Sequence, residues 1–394
     1  MRRYSRLRGV IALVLVAVCV LELLLVAFGG SGETNQDLHR EESLVGALAG
    51  VKSKRIHVMG SLKSHDSRPS DEAHEHAQKT QPSAPTDNRT ASEGGTQTSY
   101  SIDEVIANLS KPWVGNETRK VGIRRKLDSV MNATEYAVLT KQFTVLGQNL
   151  TFAIAPSVVR NLTNEVYQML PEQSPFSTLK MKRCSVVGNG GILKHSYCGK
   201  AIDGSDFVFR CNAAPLKGYQ QHTGRKSNMT SINPGGVIAA KYKRLPDIGH
   251  RNRFLTDMKA YGDLLIPVYG VNINAYTTSM LALRLLHQKG STTRGLIINP
   301  DHFRGLQDMW SEMGLRSRMT TGFYLASVAL SVCNSTDLYG FWPFAKGPNH
   351  RAVSYHYYDR LNISKGVHNF NWEFDVLYRL HMGGVLQMHA GPCT

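Results

Sequence analysis

The sequence predicts an α/β fold, a single Rossmann-like domain over residues 102–394, set behind a transmembrane helix and a flexible stem. Three observations carry this expectation. The β-prone run Ser185-Val186-Val187 meets the glycine-rich turn Gly188-Asn189-Gly190-Gly191, and Ile192 to Lys194 can begin a helix. Strand, turn and helix in that order make a cradle whose backbone N–H groups can face a phosphate. A second strand run, Asp206 to Cys211, follows and ends on Asn212. Further on, Phe323, Ala326, Leu330 and Cys333 recur at helical spacing, and Leu338 to Trp342 reads as a strand.

The N-terminal elements follow from composition. Val10 to Phe28 is apolar apart from Glu22, and about 20 such residues span a hydrocarbon core as a helix. Arg2, Arg3, Arg6 and Arg8 precede it, so the positive-inside rule holds residues 1–9 in the cytoplasm and sends the rest into the lumen, a type II topology. A cleaved signal peptide, cut within Ala27 to Ser31, is the alternative and would release the same domain. Residues 29–101 are rich in Ser, Thr, Gly and charge, too polar to offset ordering entropy, and read as a stem.

Nine Asn-x-Ser/Thr sequons, at Asn88, 108, 116, 132, 149, 161, 228, 334 and 362, fit a lumenal chain. Of six cysteines, Cys19 lies in the anchor, which leaves an odd five in an oxidising compartment. No Cys-x-x-Cys pair marks a zinc site. The formal charge of +16 would ordinarily suggest nucleic acid. A lumenal domain does not meet nucleic acid, and no nucleic-acid motif interrupts the basic residues, so anionic small substrates are the expected partners. A generic solvated basic surface is the plainer reading of many of these side chains.

Several residues gather chemistry. Asn189 and Asn212 end neighbouring strand runs, where open α/β sheets hold ligands; taken alone, each also fits a turn or cap. Thr320-Thr321-Gly322 opens a helix whose N–H groups suit an anion, or simply caps it. Trp342 alone reads as core, and His356, amid Tyr355, Tyr357, Tyr358 and Asp359, as a satisfied core histidine. His368 precedes Asn371, which reads as the cap of a helix stopping at Gly383-Gly384, with Glu373 in its first turn. A histidine titrates near neutral pH and can take a proton from a hydroxyl. The dinucleotide fingerprint fails, since Leu193 stands where its third glycine belongs. Asp-x-Asp, the paired carboxylate that holds a metal on a diphosphate, is missing.

Cys184 to Asn212, CSVVGNGGILKHSYCGKAIDGSDFVFRCN, with the later Ile232-Asn233-Pro234, resembles the large sialyl motif of the animal sialyltransferases, glycosyltransferase family 29. Thr320 to Trp342, Tyr355 to Asp359, and His368 to Glu373 (His-x-x-x-x-Glu) resemble the family's small, third and very small motifs, in order. The resemblance implies a variant of the GT-A type of fold and a lumenal Golgi enzyme. It implies that N-acetylneuraminic acid passes from CMP-sialic acid to a glycan by an inverting single displacement, without cofactor or metal. It further implies that Asn189, Asn212, Thr320, Thr321, Gly322, Trp342, Tyr355 and His356 bind the donor. His356 favours departure of CMP, His368 is the general base, and Glu373 orders the loop and helix start. Cys184–Cys333 and Cys198–Cys393 are the implied disulfides, leaving Cys211 a buried thiol.

Tyr-Gly-Phe-Trp-Pro-Phe, His-Tyr-Tyr-Asp and Cys393 resemble the α-2,8 branch, which adds sialic acid to sialic acid, and Gly-Asn-Gly-Gly-Ile-Leu its ganglioside and O-glycan members. The expected acceptor is therefore a sialylated glycolipid or glycoprotein. The mixed charges of Leu286 to Arg318 argue against long polymers. An α-2,3 enzyme acting on galactose and a non-catalytic sialoglycan-binding protein are the alternatives, and a homodimer is left open.

Overall fold

Short runs of β-branched and aromatic residues build a parallel sheet between two helical layers. The structure, a computed structural model, describes residues 101–270, 273–288, 290–361 and 368–393. The expected tail and membrane span (1–9 and 10–28) lie outside these residues, as does the expected stem (29–101) except for Ser101, which caps the first helix by accepting from Glu104 N. Among the described residues no helix is long and apolar enough to cross a membrane.

An antiparallel hairpin, β1 (Asn149–Phe152) and β2 (Ala155–Asn161), precedes the main sheet. The sheet contains β3 (Arg183–Val187), β4 (Phe207–Arg210), β5 (Met229–Ser231), β6 (Asp263–Ile266), β7 (Gly295–Ile297), β8 (Ser335–Tyr339) and β9 (Gln387–His389). All pair in parallel in the order β7-β6-β5-β4-β3-β8-β9. The longer helices are α1 (Ile102–Leu109), α2 (Glu117–Val130), α3 (Ile248–Met258), α4 (Ile273–Leu286), α5 (Pro300–Glu312), α6 (Thr321–Val332) and α7 (Phe370–Met382).

Alternation along the strands sends neighbouring residues to opposite layers, the pattern of a sheet covered on both faces. Leu265 and Leu296 pack with α2, α5, α6 and α7 through Leu127, Trp310, Phe323 and Phe374, whereas Leu264, Ile266 and Ile297 pack with α3 and α4 through Phe254 and Leu283. Helix α6 is buried without a break from Phe323 to Leu330. It is a central helix, not an amphipathic surface one. Buried Asp337 accepts from Arg183 Nε at 2.8 Å and His389 Nε2 at 2.7 Å, tying β3, β8 and β9 side by side.

From β3 the chain winds outward through β4 to β7, then returns across the sheet to β8 and leaves towards β9 on the other side. The β3/β8 boundary is thus a topological switch point, where an open α/β sheet parts its connections and leaves a crevice beyond the strand ends.

Local expectations are corrected at three places. Ile192 to Lys194 does not begin an α-helix: only a single 3-10 turn, Gly191–Leu193, follows β3. The N–H groups of Gly188 and Gly190 donate to Tyr339 O at 2.7 Å and Gly340 O at 3.0 Å, so they are spent on the β8 loop and do not form a phosphate cradle. A Cβ at either glycine would stand within 2.8 Å of Gly340 O, which is why both positions need glycine. The strand expected over Leu338 to Trp342 stops at Tyr339, because Gly340 turns the chain at φ +75°. Helix α7 is capped by Asn369, whose Oδ1 accepts from Trp372 N, and not by Asn371.

Candidate active site

Beyond the ends of β3 and β8 lies a cavity of about 260 Å³. Its wall brings together all nine residues singled out for donor binding and catalysis, Asn189, Asn212, Thr320, Thr321, Gly322, Trp342, Tyr355, His356 and His368, with the expected supporting residue Glu373. They come from segments up to 184 residues apart (373 − 189), and the switch point gathers them.

Asn189 sits in the loop after β3 and donates its Nδ2–H to Cys211 O at 3.1 Å. Asn212 follows β4 in a left-handed turn (φ 58°), and its N–H donates to Ser231 Oγ at 3.1 Å. Its Oδ1 is buried with no partner among the described residues. A buried acceptor left unpaired costs about 1–3 kcal/mol, so this oxygen suits a hydroxyl or amino donor from a ligand.

Opposite stands the start of α6. Thr320 Oγ1 caps it by accepting from Phe323 N at 3.0 Å, while its own proton goes to Glu373 Oε2 at 2.5 Å and its N–H to Glu373 Oε1 at 2.7 Å. Thr320 therefore has no hydroxyl proton to give a ligand. Glu373 secures the start of α6 across 53 residues of sequence, not the start of its own helix. Gly322 keeps the helix start narrow, since a Cβ there would come 3.1 Å from Phe341 Cε1. Nearby Cys211 is a free buried thiol, pushed up to about 12 by burial, and so stays protonated. The disulfides are Cys184–Cys333 and Cys198–Cys393.

Burial raises the Glu373 carboxyl to about 7, against the two hydrogen bonds from Thr320 that lower it. Because the folded value exceeds the unfolded 4.5, its stabilising contribution is complete below about pH 4.5 and is lost as pH rises through about 7. Glu373→Gln removes this titration. The stability difference should move in the variant's favour by about 3 kcal/mol between pH 4.5 and pH 8, read from denaturant melts at each pH. A flat difference would mean that the bonds from Thr320 keep the carboxylate charged at no cost.

The remaining wall is aromatic. Trp342 is only 5 % exposed; its indole N–H donates to Lys346 O at 2.8 Å and its ring packs edge-on against Phe344 and Phe374. It shapes the wall and keeps no free polar group. His356 stacks on Tyr358 with ring centroids 4.9 Å apart, and its Nδ1 lies 2.5 Å from Asp359 Oδ2. Burial alone would raise the Asp359 carboxyl, but bonds from the His356 ring, His356 N and Leu361 N outweigh it and hold the group below the usual range. An ionised acceptor at Nδ1 keeps a proton there and leaves Nε2 for a ligand. Tyr355 is pushed up by burial and by the Asp359 charge, so its phenol stays neutral.

His368 is half-buried, with Nδ1 2.7 Å from Arg318 O. A carbonyl can only accept, so Nδ1 carries the proton and Nε2 the lone pair. Burial lowers the imidazole below its ordinary 6.5; the bond to Arg318 O raises it, and the Arg318 charge lowers it further. At neutral pH the ring is an unprotonated base in the correct tautomer. Arg318 itself lines the cavity, a residue that motif reading passed over as one of several scattered basic side chains. Tyr269 and Gly270 after β6 do so too, without a sequence signal.

Among the described residues no three His, Cys, Asp or Glu side chains gather where a metal could be held. A switch-point crevice lined by amide groups, a helix N-terminus and a tautomer-locked imidazole is the setting in which an α/β enzyme can hold a ligand and move a proton. The family model for glycosyltransferase family 29 (sialyltransferase) matches residues 128–385. The chain is 33% identical over 302 residues to mouse alpha-2,8-sialyltransferase 8F, covering 75% of each. It is 35% identical to the alpha-N-acetylneuraminide alpha-2,8-sialyltransferase of Xenopus tropicalis, covering 73% of this chain and 83% of that one. A solved mammalian sialyltransferase in complex with Gal-beta-1-3GalNAc-ortho-nitrophenol aligns with a TM-score of 0.41 and 21% identity over 72% of this chain and 92% of that one. The chain belongs to glycosyltransferase family 29 and is a sialyltransferase.

Proposed function

We propose that the enzyme transfers N-acetylneuraminic acid from CMP-sialic acid to the terminal sialic acid of a glycolipid or glycoprotein O-glycan in α-2,8 linkage. The chain is anchored in the Golgi membrane by residues 10–28, with residues 102–394 in the lumen on a variant of the GT-A type of fold. The observation that carries the reading is His368, neutral and held by Arg318 O in the one tautomer that presents Nε2 as a base.

In the reaction, His368 Nε2 takes the proton of the acceptor's C8 hydroxyl as that oxygen attacks the anomeric C2 of the donor sugar. The new O–C2 bond forms as the bond from C2 to the phosphate oxygen breaks, with inversion, and CMP leaves with the electron pair. Asn189, Asn212 and Tyr355 orient the nucleotide and its sugar. His356, when its ring carries a proton on both nitrogens beside the Asp359 carboxylate, donates from Nε2, and with the Thr321-Gly322 end of α6 it offsets charge developing on the departing phosphate, preorganised hydrogen bonding of the kind worth about 3 kcal/mol per donor. One phosphate carries less charge than a diphosphate, so these groups suffice without a metal. Trp342 and Glu373 keep the wall in shape.

The test presents CMP-sialic acid and matched acceptors ending in sialic acid or in galactose, in excess EDTA. Transfer to the sialylated acceptor that persists in EDTA is expected. Transfer to galactose alone would favour the α-2,3 reading, and activity restored only by Mn²⁺ or Mg²⁺ would end the metal-free mechanism.

A further inference from the structure

Arg318 is the only Lys or Arg on the cavity wall among the described residues. It lies on the connection between α5 and α6, and it is half-buried. The one carboxylate on the same wall, Glu373, is already occupied by Thr320. Among the described residues the guanidinium has neither an ion-pair nor a hydrogen-bond partner, and burial disfavours its charged form. A half-buried cation without a counter-charge is costly to hold unless an anion arrives to meet it. A guanidinium presents N–H groups in a planar fork that fits a carboxylate through two parallel bonds.

The position of Arg318 says which substrate brings that anion. Its carbonyl fixes the base, and its charge is felt at the His368 ring, so the side chain stands on the side where the attacking hydroxyl must lie. Asn189, Asn212 and His356, assigned above to the nucleotide, line the same cavity. A terminal sialic acid carries both a nucleophilic C8 hydroxyl and a C1 carboxylate on one sugar, whereas a terminal galactose has no anionic group. We propose that Arg318 forms a carboxylate subsite for the acceptor's terminal sialic acid, anchoring its C1 carboxylate so that the C8 hydroxyl reaches His368. The proposal rests on the α-2,8 reading and extends it: the same residue that orients the base selects a charged acceptor over a neutral one.

The test uses the full chain in detergent, as wild type, Arg318→Gln and Arg318→Lys, with a sialic acid-terminated oligosaccharide and the same compound with its terminal carboxylate converted to the methyl amide. Two changes on two partners form a coupling cycle. Arg318→Gln should lower acceptor kcat/KM about 10²-fold for the acid. The amide should be used at one low rate by wild type and variant alike, and the donor KM should hold. Arg318→Lys, which keeps the charge and loses the fork, should fall between and serves where the Gln variant does not fold. Equal losses on acid and amide would mean that Arg318 acts only through His368, and a raised donor KM would assign it to the donor; either overturns the proposal while the α-2,8 reading stands. A wild type that ignores the sialylated acceptor sinks that reading, and the subsite with it.

Discussion

Replacing His368 with alanine is expected to lower kcat about 10²–10⁴-fold, the usual cost of losing a general base, while CMP binding stays near that of the wild type. The expectation follows from geometry more than from residue type. His368 stands at the edge of α7, outside the Asn189, Asn212 and His356 groups assigned to the nucleotide, and its protonated nitrogen, Nδ1, faces Arg318 O at 2.7 Å. Deleting the ring therefore removes the proton acceptor without touching those groups. Burial keeps the ring below 6.5 in its protonation equilibrium, so the acidic limb of kcat against pH should lie below that value and vanish in the variant. Isothermal titration with CMP beside single-turnover transfer separates the two effects. Near-normal turnover, or loss of CMP binding in proportion, would remove His368 from the role of base.

Loss of the Cys184–Cys333 bridge should destabilise the domain by about 2–5 kcal/mol. Both sulfurs are buried, Cys184 in β3 and Cys333 at the C-terminal cap of α6, and they close a loop of 149 residues. The bridge joins the strand that carries the Asn189 loop to the helix whose far end lines the cavity. Removing it should weaken the fold and the site together. A double Cys184→Ala, Cys333→Ala variant, compared with the wild type by denaturant unfolding, measures the cost. Non-reducing peptide mapping of the wild type decides the pairing: Cys211 in a bridge, or Cys333 free, would overturn it.

Motif order made much of the site legible before any fold was known. The four blocks supply every residue that was proposed to bind the donor or to do chemistry, and the parallel sheet delivers them to one crevice. What the sequence did not disclose depends on contacts between distant segments. The glycines of the β3 loop look like an anion cradle until Gly340 O is found against them, 150 residues on (340 − 190). Asn369 and Asn371 both suit a helix cap, and only the reach of the Asn369 carbonyl to Trp372 N decides between them. Glu373 looks like an aid to its own helix, yet its carboxylate spans 53 residues to Thr320. Arg318 carries no motif at all; its lack of a counter-charge becomes visible only once Thr320 has claimed Glu373. The β1–β2 hairpin went unforeseen because β2 is mostly exposed and shows none of the alternation that marks a half-buried strand.

The most direct test of the account is the linkage in the product, read by NMR after transfer from CMP-sialic acid to an acceptor ending in sialic acid. An inverting attack by the C8 hydroxyl predicts a single new α-2,8 bond between two sialic acids, formed by the wild type and not by His368→Ala. A bond to galactose, or the same product from both proteins, would contradict it.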